Sequence, residues 1–317
     1  MTASTRPKVS VCVPAYRQPE FVRRALESVR SQTGVSFEVI ITDDTPDDAV
    51  ERVVAGASAS VNLHYLRNPV RLGSPGNWNK AASLAQGDYI KFLHHDDYLT
   101  APDSLSRYAA LLDDHPEADL AFSSSTVWMV DTDERWVHRP TAAQLRRLAA
   151  SPAVLFAENL IGSPSAVIYR RTVNQAFEPR LIWLVDVDFY IRVLTANRAF
   201  AFCSEPLVCT TNGSWQITSG VHGDKALELF EHLYVYDRIR DTAGLGALFT
   251  KTWARLFARY GVVSVDEVSR HAAGIAVPAG RLRPALWLGR LVALRERARR
   301  SVVGRPGGPA SAGGGRP

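Results

Sequence analysis

Along this chain of 317 residues the hydrophobic positions change period. In the first half they come as short runs rich in β-branched residues: "KVSVCVP" (Lys8–Pro14), "FEVIIT" (Phe37–Thr42), "VNLHYL" (Val61–Leu66) and "YIKFL" (Tyr89–Leu93). Runs of this length bounded by turn residues predict strands, most of them buried. Between them the apolar spacing turns helical. One helix is predicted from about Glu20, with Phe21, Ala25 and Val29 on one face, and a short one over Asp47–Val54. Others run through "WNKAASLA" and from Pro102 to about Asp114, ahead of "ADLAFSS". Strand–helix alternation at this interval predicts an α/β fold: a doubly wound, mostly parallel central sheet with helices on both faces.

The second half is less regular. "SAVIYR" (Ser165–Arg170) and "AFAFC" read as strands and "DVDFYIRVLTA" as a helix. After "TTNGSWQITSGVHG" the pattern is helical over His222–Arg240, Gly246–Tyr260, Val265–Ala273 and Arg281–Val302. The end, "GRPGGPASAGGGRP", is low in complexity, and its composition predicts disorder. The expected organisation is an α/β domain over 1–215, a helical C-terminal region over 216–303 and a tail over 304–317.

Composition narrows the class only slightly. The chain is 46% hydrophobic and 22% charged, ordinary for a globular protein. Its first residues, "MTASTRPKVS", lack the apolar stretch of a signal peptide. No uncharged apolar window approaches the ~20 residues needed to span a bilayer. Cys12, Cys203 and Cys209 are too few for a disulfide framework and none has a metal-ligand spacing. A cytoplasmic protein is expected. The net charge of +5 is unevenly placed: eight arginines against Glu296 between Arg281 and Arg305 give that stretch +7, leaving about −2 elsewhere. The basic character thus belongs to the C-terminal helix, and no nucleic-acid partner is implied.

In open α/β sheets, ligands bind beyond the carboxyl ends of the strands. Strand one ends in Pro14-Ala15-Tyr16, strand two in Asp43-Asp44 and strand four in His94-His95-Asp96-Asp97. An aromatic ring and four carboxylates therefore reach one sheet edge. Clustered carboxylates repel unless a cation or a donor-rich ligand accompanies them. A nucleotide diphosphate with Mg²⁺ or Mn²⁺ supplies both. Neither GxxxxGK[ST] nor a GxGxxG after the first strand occurs, which disfavours kinase-type and dinucleotide sites.

In this order the motifs resemble those of the family 2 glycosyltransferases, which have the GT-A fold. The resemblance runs from about Val9 to about Leu194. "VSVCVPAYRQPEFVRRALESVRSQT" is similar to the opening strand, P-x-Y turn and first helix of that family. "FEVIITDDTPDD" is similar to its second strand and Asp-Asp turn. "NPVRLGSPGNWNKAASLAQGDYIKFLHHDD" is similar to the segment running into its acidic motif.

The resemblance implies a nucleotide-sugar half over 8–125 and an acceptor half over 126–215. Asp44 would accept a hydrogen bond from the base, flanked by Pro14 and Tyr16. Asp96 would lie near the ribose and metal, and Asp97 would be the main protein ligand of the diphosphate-bound metal, Mn²⁺ or Mg²⁺. "WLVDVDFYIRV" (Trp183–Val193) is similar to the later Glu-Asp-x-Asp segment, which makes Asp186 the base that deprotonates an acceptor hydroxyl. The implied reaction is a single displacement with inversion, from a UDP- or TDP-sugar to a glycan, a lipid-linked or a small-molecule acceptor.

Some positions depart from the family. His94 stands where many members have Asp, which tilts preference from Mg²⁺ toward Mn²⁺. Both histidines nevertheless read as strand-end residues and are left out of the expected ligand set. Val185 replaces a Glu, so Asp186 lacks an acidic neighbour. No Q-x-x-R-W follows Asp186; the nearest match, Gln144–Leu148, comes too early, which argues against a processive synthase. Trp183, Trp215, His222 and Asn159 lie where an acceptor pocket is expected. The basic helix Arg281–Arg300 carries Leu282, Leu286, Leu288, Leu291 and Leu294. It either packs an apolar stripe on the domain with its arginines in solvent, or makes a peripheral contact with the inner membrane face. Two competing functions remain. A catalytically silent nucleotide-sugar-binding protein is suggested by His94 and Val185. A sugar-phosphate nucleotidyltransferase is opposed by the absence of glycine in "PAYRQPE".

Overall fold

The structure, a computed structural model, describes residues 6–57, 62–216 and 223–303. His222 and the tail over 304–317 lie outside the described residues. Two compact units divide between Thr242 and Ala243.

The first unit is built on a nine-stranded sheet. Its strands are β1 (Val9–Ala15), β2 (Phe37–Asp43), β3 (Leu63–Arg67), β4 (Tyr89–Phe92), β5 (Tyr98–Leu99), β6 (Leu120–Met129), β7 (Glu134–His138), β8 (Val167–Arg170) and β9 (Phe200–Asn212). The helices are α1 (Pro19–Arg30), α2 (Ala49–Ala57), α3 (Gly73–Leu84), α4 (Ser104–Asp113), α5 (Ala142–Ala150), α6 (Val185–Ala196) and α7 (Lys225–Ile239). Strand order is β3-β2-β1-β4-β8-β6-β9-β5, with β7 paired to β6. The first four strands are mutually parallel. Because β2 and β4 flank β1 on opposite sides, the crevice for a ligand opens at the carboxyl ends of β1 and β4.

Burial follows from position in the sheet. Every residue of β1 and β4 is buried, as expected of central strands covered on both faces. β3, at the edge, has no fully buried residue. Val22, Ala25, Leu26 and Val29 form the inward face of α1. The helix opens abruptly, with Pro19 in its first turn after Arg17 and Gln18 in the left-handed region at φ 59° and 54°. Such a conformation costs about 1–2 kcal/mol per non-glycine residue, and it folds the chain tightly over the end of β1.

The expected α/β architecture is present, with differences in detail. β8 is antiparallel to both β4 and β6, so the second half of the sheet is mixed. β5 and β7 carry too few residues, or too polar a pattern, to register as apolar runs. β5 is held by pairing with β9, Tyr98 opposite Cys209. The helix expected over His222–Arg240 begins at Lys225, capped by Asp224, which accepts from the N–H groups of Ala226 (2.9 Å) and Leu227 (3.1 Å).

The second unit comprises α8 (Gly246–Tyr260), α9 (Val265–Ser269) and α10 (Ala279–Val303). The buried Leu282, Ala285, Leu286 and Gly289 lie on one side of α10, and Gly289 abuts the Ala254 carbonyl and Phe257 of α8. Trp287, Leu291 and Leu294 lie on the other side, with Trp287 66% exposed. Among the described residues no helix is long and apolar enough to cross a membrane.

Candidate active site

After β4 the chain turns tightly, with the Asp97 N–H donating to the His94 carbonyl at 2.9 Å. Distant segments hold the turn. The Thr211 N–H donates to Asp97 Oδ1 at 2.8 Å, and the Gln216 amide to Asp96 Oδ2 at 2.9 Å. The Asp96 carbonyl accepts from Arg24 at 2.5 Å and from the Thr211 hydroxyl. Arg24 itself lies over the rings of Phe21, Tyr98 and Trp128.

His94, Asp96 and Asp97 bring their ligating atoms within 4.8 Å of one another. Burial, then the nearby Asp96, holds the Asp97 carboxyl well above its usual range. Burial also pushes the His94 imidazole down to about 4, so the ring is neutral at physiological pH. Its Nε2 is buried with no hydrogen-bond partner among the described residues, and the ring packs on Trp78 at 4.7 Å. Two buried carboxyl groups beside an imidazole nitrogen that makes no hydrogen bond among the described residues form a donor set that fits a divalent cation. The structure thus brings His94 alongside the two aspartates of the expected set.

Beneath the turn lies Lys91, fully buried. Its ammonium donates to the carbonyls of Phe92 (2.9 Å) and Ser165 and sits 4.4 Å from the Tyr108 ring centroid. Burial pushes its pKa down to about 7, against the opposing pull of Asp97. In "YIKFL" this residue read as part of a hydrophobic run. Its contact with Ser165 comes from the segment ahead of β8, which the local sequence does not show.

A cavity of about 630 Å³ opens beyond β1–β3, lined by Tyr16, Arg17, Asp44, Arg67, Asn68 and Arg71 among others. The Tyr16 ring carries the Arg71 guanidinium at 4.3 Å and that of Arg17 at 5.1 Å. Asp44 is already engaged by the chain: it accepts from the Asn68 amide (2.8 Å) and from the N–H groups of Leu72 (3.1 Å) and Gly73 (2.9 Å). Gly73, at φ 74°, has the backbone needed to turn its N–H toward the carboxylate. Asp44 thus caps α3 as well as lining the cavity. Asp43 accepts from the Thr45 N–H and the Tyr65 hydroxyl, both at 2.8 Å. Pro14 is buried in β1, its carbonyl 3.3 Å from His95 Nδ1, and does not line this cavity.

Asp186 lies in the first turn of α6. Its Oδ2 accepts from the Asn159 amide at 3.1 Å and its Oδ1 from the Val187 N–H at 2.8 Å. Burial raises its pKa to about 7, with Glu231 adding to the rise and the hydrogen bonds from the Val187 N–H, its own N–H and Asn159 opposing it. Residues 159–165 connect this carboxylate to the acidic turn, since the Ser165 hydroxyl accepts from the His94 N–H at 2.9 Å. Those residues span at most about 22 Å when fully extended. Trp183 precedes α6, with its N–H bonded to Glu231 at 2.9 Å. Trp215 packs instead on Phe21 of α1, ring centroids 4.8 Å apart. Glu231 is a participant that the sequence pattern did not single out.

Residues 10–177 match the profile described as Glycosyl transferase family 2, more than half of the chain. The chain belongs to glycosyl transferase family 2. An uncharacterized protein of Mycobacterium tuberculosis is 32% identical over 216 residues, 63% of this chain and 65% of that relative, so the match spans just under two thirds of its length. Among solved structures, S. aureus TarS 1–349 in complex with UDP-GlcNAc superposes with a TM-score of 0.58 at 17% identity, covering 92% of each chain. The mannosyltransferase PcManGT of Pyrobaculum calidifontis, in complex with GDP-Man and Mn²⁺, gives 0.52 at 15% identity over 93% of this chain and 89% of that one. These likenesses establish the GT-A fold for this family 2 chain.

Proposed function

We propose that this protein transfers a sugar from a nucleotide diphosphate sugar to an acceptor hydroxyl, with metal assistance and inversion at the anomeric carbon. The observation that carries the reading is the His94–Asp96–Asp97 cluster after β4, together with a cavity beyond β1–β3 walled by Tyr16 and three arginines. Nucleotide-sugar complexes of TarS and PcManGT, the latter with Mn²⁺, support it by analogy of fold.

Asp97, Asp96 and the His94 Nε2 would hold the divalent cation, which when bound supplies positive charge against the departing diphosphate. Tyr16, Arg17 and Arg71 bind the nucleotide, and the arginines add charge that favours phosphate. Asp44 Oδ2, with one protein donor, retains an accepting direction for the base. Asp186 takes the proton of the acceptor hydroxyl. The acceptor oxygen bonds to the anomeric carbon from the face opposite the leaving group. The bond to the phosphate oxygen breaks, and its electron pair leaves with the nucleoside diphosphate. A carboxylate with a pKa of about 7 is matched to that proton transfer at neutral pH.

A thermal-shift screen of UDP, TDP and GDP with and without Mn²⁺ tests the donor site. At least one is expected to stabilise the fold more with metal; failure of all three removes the reading. Binding without release of nucleoside diphosphate from any donor would favour the silent binding protein.

The same reading includes a peripheral contact of α10 with an anionic membrane, suited to a lipid-linked acceptor. Both alternatives raised by the sequence find support. One stripe of α10 packs within the second unit, while Trp287, Leu291 and Leu294 are exposed and flanked by Arg283, Arg290 and Arg295. Flotation with phosphatidylglycerol liposomes tests it. The triple variant Trp287→Ala, Leu291→Ala, Leu294→Ala should lose binding, and equal flotation would refute it.

A further inference from the structure

Asp186 depends on a helix start that has no capping side chain of its own. The N-cap of α6 is Leu184, which makes no side-chain cap. The N–H groups leading into the helix instead converge on Glu231, at the middle of α7 and fully buried. Glu231 Oε1 accepts from the Ile182 N–H (2.6 Å) and the Trp183 N–H (3.2 Å). Oε2 accepts from Trp183 (2.9 Å) and Leu184 (2.7 Å). Burial raises the Glu231 carboxyl above its usual range, and the three backbone donors aimed at both oxygens oppose that rise, placed where the helix dipole favours negative charge.

The grip of α7 on the first turns of α6 is double. Two helical turns beyond Glu231, Arg238 lies 3.5 Å from Asp188, which also pairs with Arg192 at 2.8 Å. Asp186 sits between these two attachments. We propose that Glu231 is the positioning residue of the catalytic base, fixing Asp186 through the Ile182–Leu184 turn and bringing a second carboxylate to act on it. The inference rests on Asp186 being the base. It gives the site an acidic companion from a distant helix where the chain has Val185.

Among the described residues, Asp186 is acted on by Asn159 from the 159–165 segment, by the Val187 N–H and Tyr190 on α6, and by Glu231 of α7, with Glu228 beside it. Asp188 is neutralised by its two arginines. Glu231 raises the Asp186 pKa, so removing its charge should lower it. The E231Q variant keeps the shape but turns an amide N–H₂ toward backbone donors, and should lower kcat about ten- to hundredfold through misplacement.

The test is a carboxyl ¹³C NMR titration of the full chain, labelled at the aspartate side-chain carboxyl, with the Asp186 signal assigned by its loss in D186N. The wild-type midpoint is expected near 7 and that of E231Q lower. An E231Q midpoint equal to or above wild type overturns the proposal. If E231Q does not fold, E231D decides through amide exchange: exchange at Ile182–Leu184 at least tenfold faster than wild type supports it, and unchanged exchange overturns it. The base reading fails separately. If D186N still releases UDP from UDP-GlcNAc at a wild-type rate where wild type is active, Asp186 is not the base, whatever Glu231 does to its titration.

Discussion

Replacing Asp186 by Asn should stabilise the protein while disabling it. The carboxyl pKa rises from 3.8 to about 7 on folding, chiefly through burial. At about 1.36 kcal/mol per pKa unit, this corresponds to about 4 kcal/mol against the ionised form. The side chain is only half-buried, and solvent screening reduces the figure to about 2 kcal/mol. Because the folded carboxyl holds its proton more tightly than the unfolded one, the native state binds more protons between pH 4 and 7. Stability is therefore lost as pH rises through that window. Asn carries no charge, so D186N escapes the penalty: it should melt about 5 °C above wild type at pH 8, for about 2 kcal/mol in a unit of this size. The advantage should shrink as pH falls through that window and vanish below pH 3.8, where the wild-type carboxyl is protonated in both states. Activity should fall 10²–10⁴-fold, the usual contribution of a general base. Differential scanning fluorimetry from pH 4 to 8, alongside release of nucleoside diphosphate, gives both readings. A D186N melting temperature at or below wild type at pH 8, or an advantage independent of pH, would refute the burial argument. Stabilisation with activity retained would leave the burial argument standing and remove the catalytic role.

Asp97→Ala should abolish the extra thermal shift that Mn²⁺ gives with a nucleoside diphosphate, and a shift of wild-type size would contradict a ligand role. His94→Asp should move preference toward Mg²⁺ by about tenfold in the ratio of metal affinities, since a carboxylate suits the harder ion better than imidazole; an unchanged ratio in calorimetry would make His94 a bystander. Arg71→Ala removes a guanidinium 4.3 Å from the Tyr16 ring. It should raise the Kd for a nucleoside diphosphate by about tenfold, equivalent to about 1.4 kcal/mol, with the melting temperature of the free protein little changed because Arg71 is exposed.

Much of the fold was legible because its signals are local. The buried runs at β1, β2 and β4 and the helical spacing between them repeat at the interval of a doubly wound sheet, and the polar residues ending those strands pointed to one edge. Other elements were not legible. β5 is two residues long and exists through its pairing with β9, more than a hundred positions away. Lys91 read as part of a hydrophobic run, but it is a buried amine held by the Phe92 and Ser165 carbonyls under the acidic turn. Asp44 read as a contact to the base. The Leu72 and Gly73 N–H groups make it a cap for α3 as well.

By itself, then, the sequence determined the strand–helix alternation, the acidic edge and the residue types available there, because periodicity and turn chemistry act over a few neighbours. Only the tertiary structure decided the state of those residues. Whether Asp97 holds a proton, whether the His94 nitrogen is left unpaired and whether Asp186 is a base near neutrality depend on burial and on partners such as Thr211, Ser165 and Glu231. Desolvation and charge act through space, and the groups that exert them are brought together by sheet order and helix packing rather than by nearness along the chain.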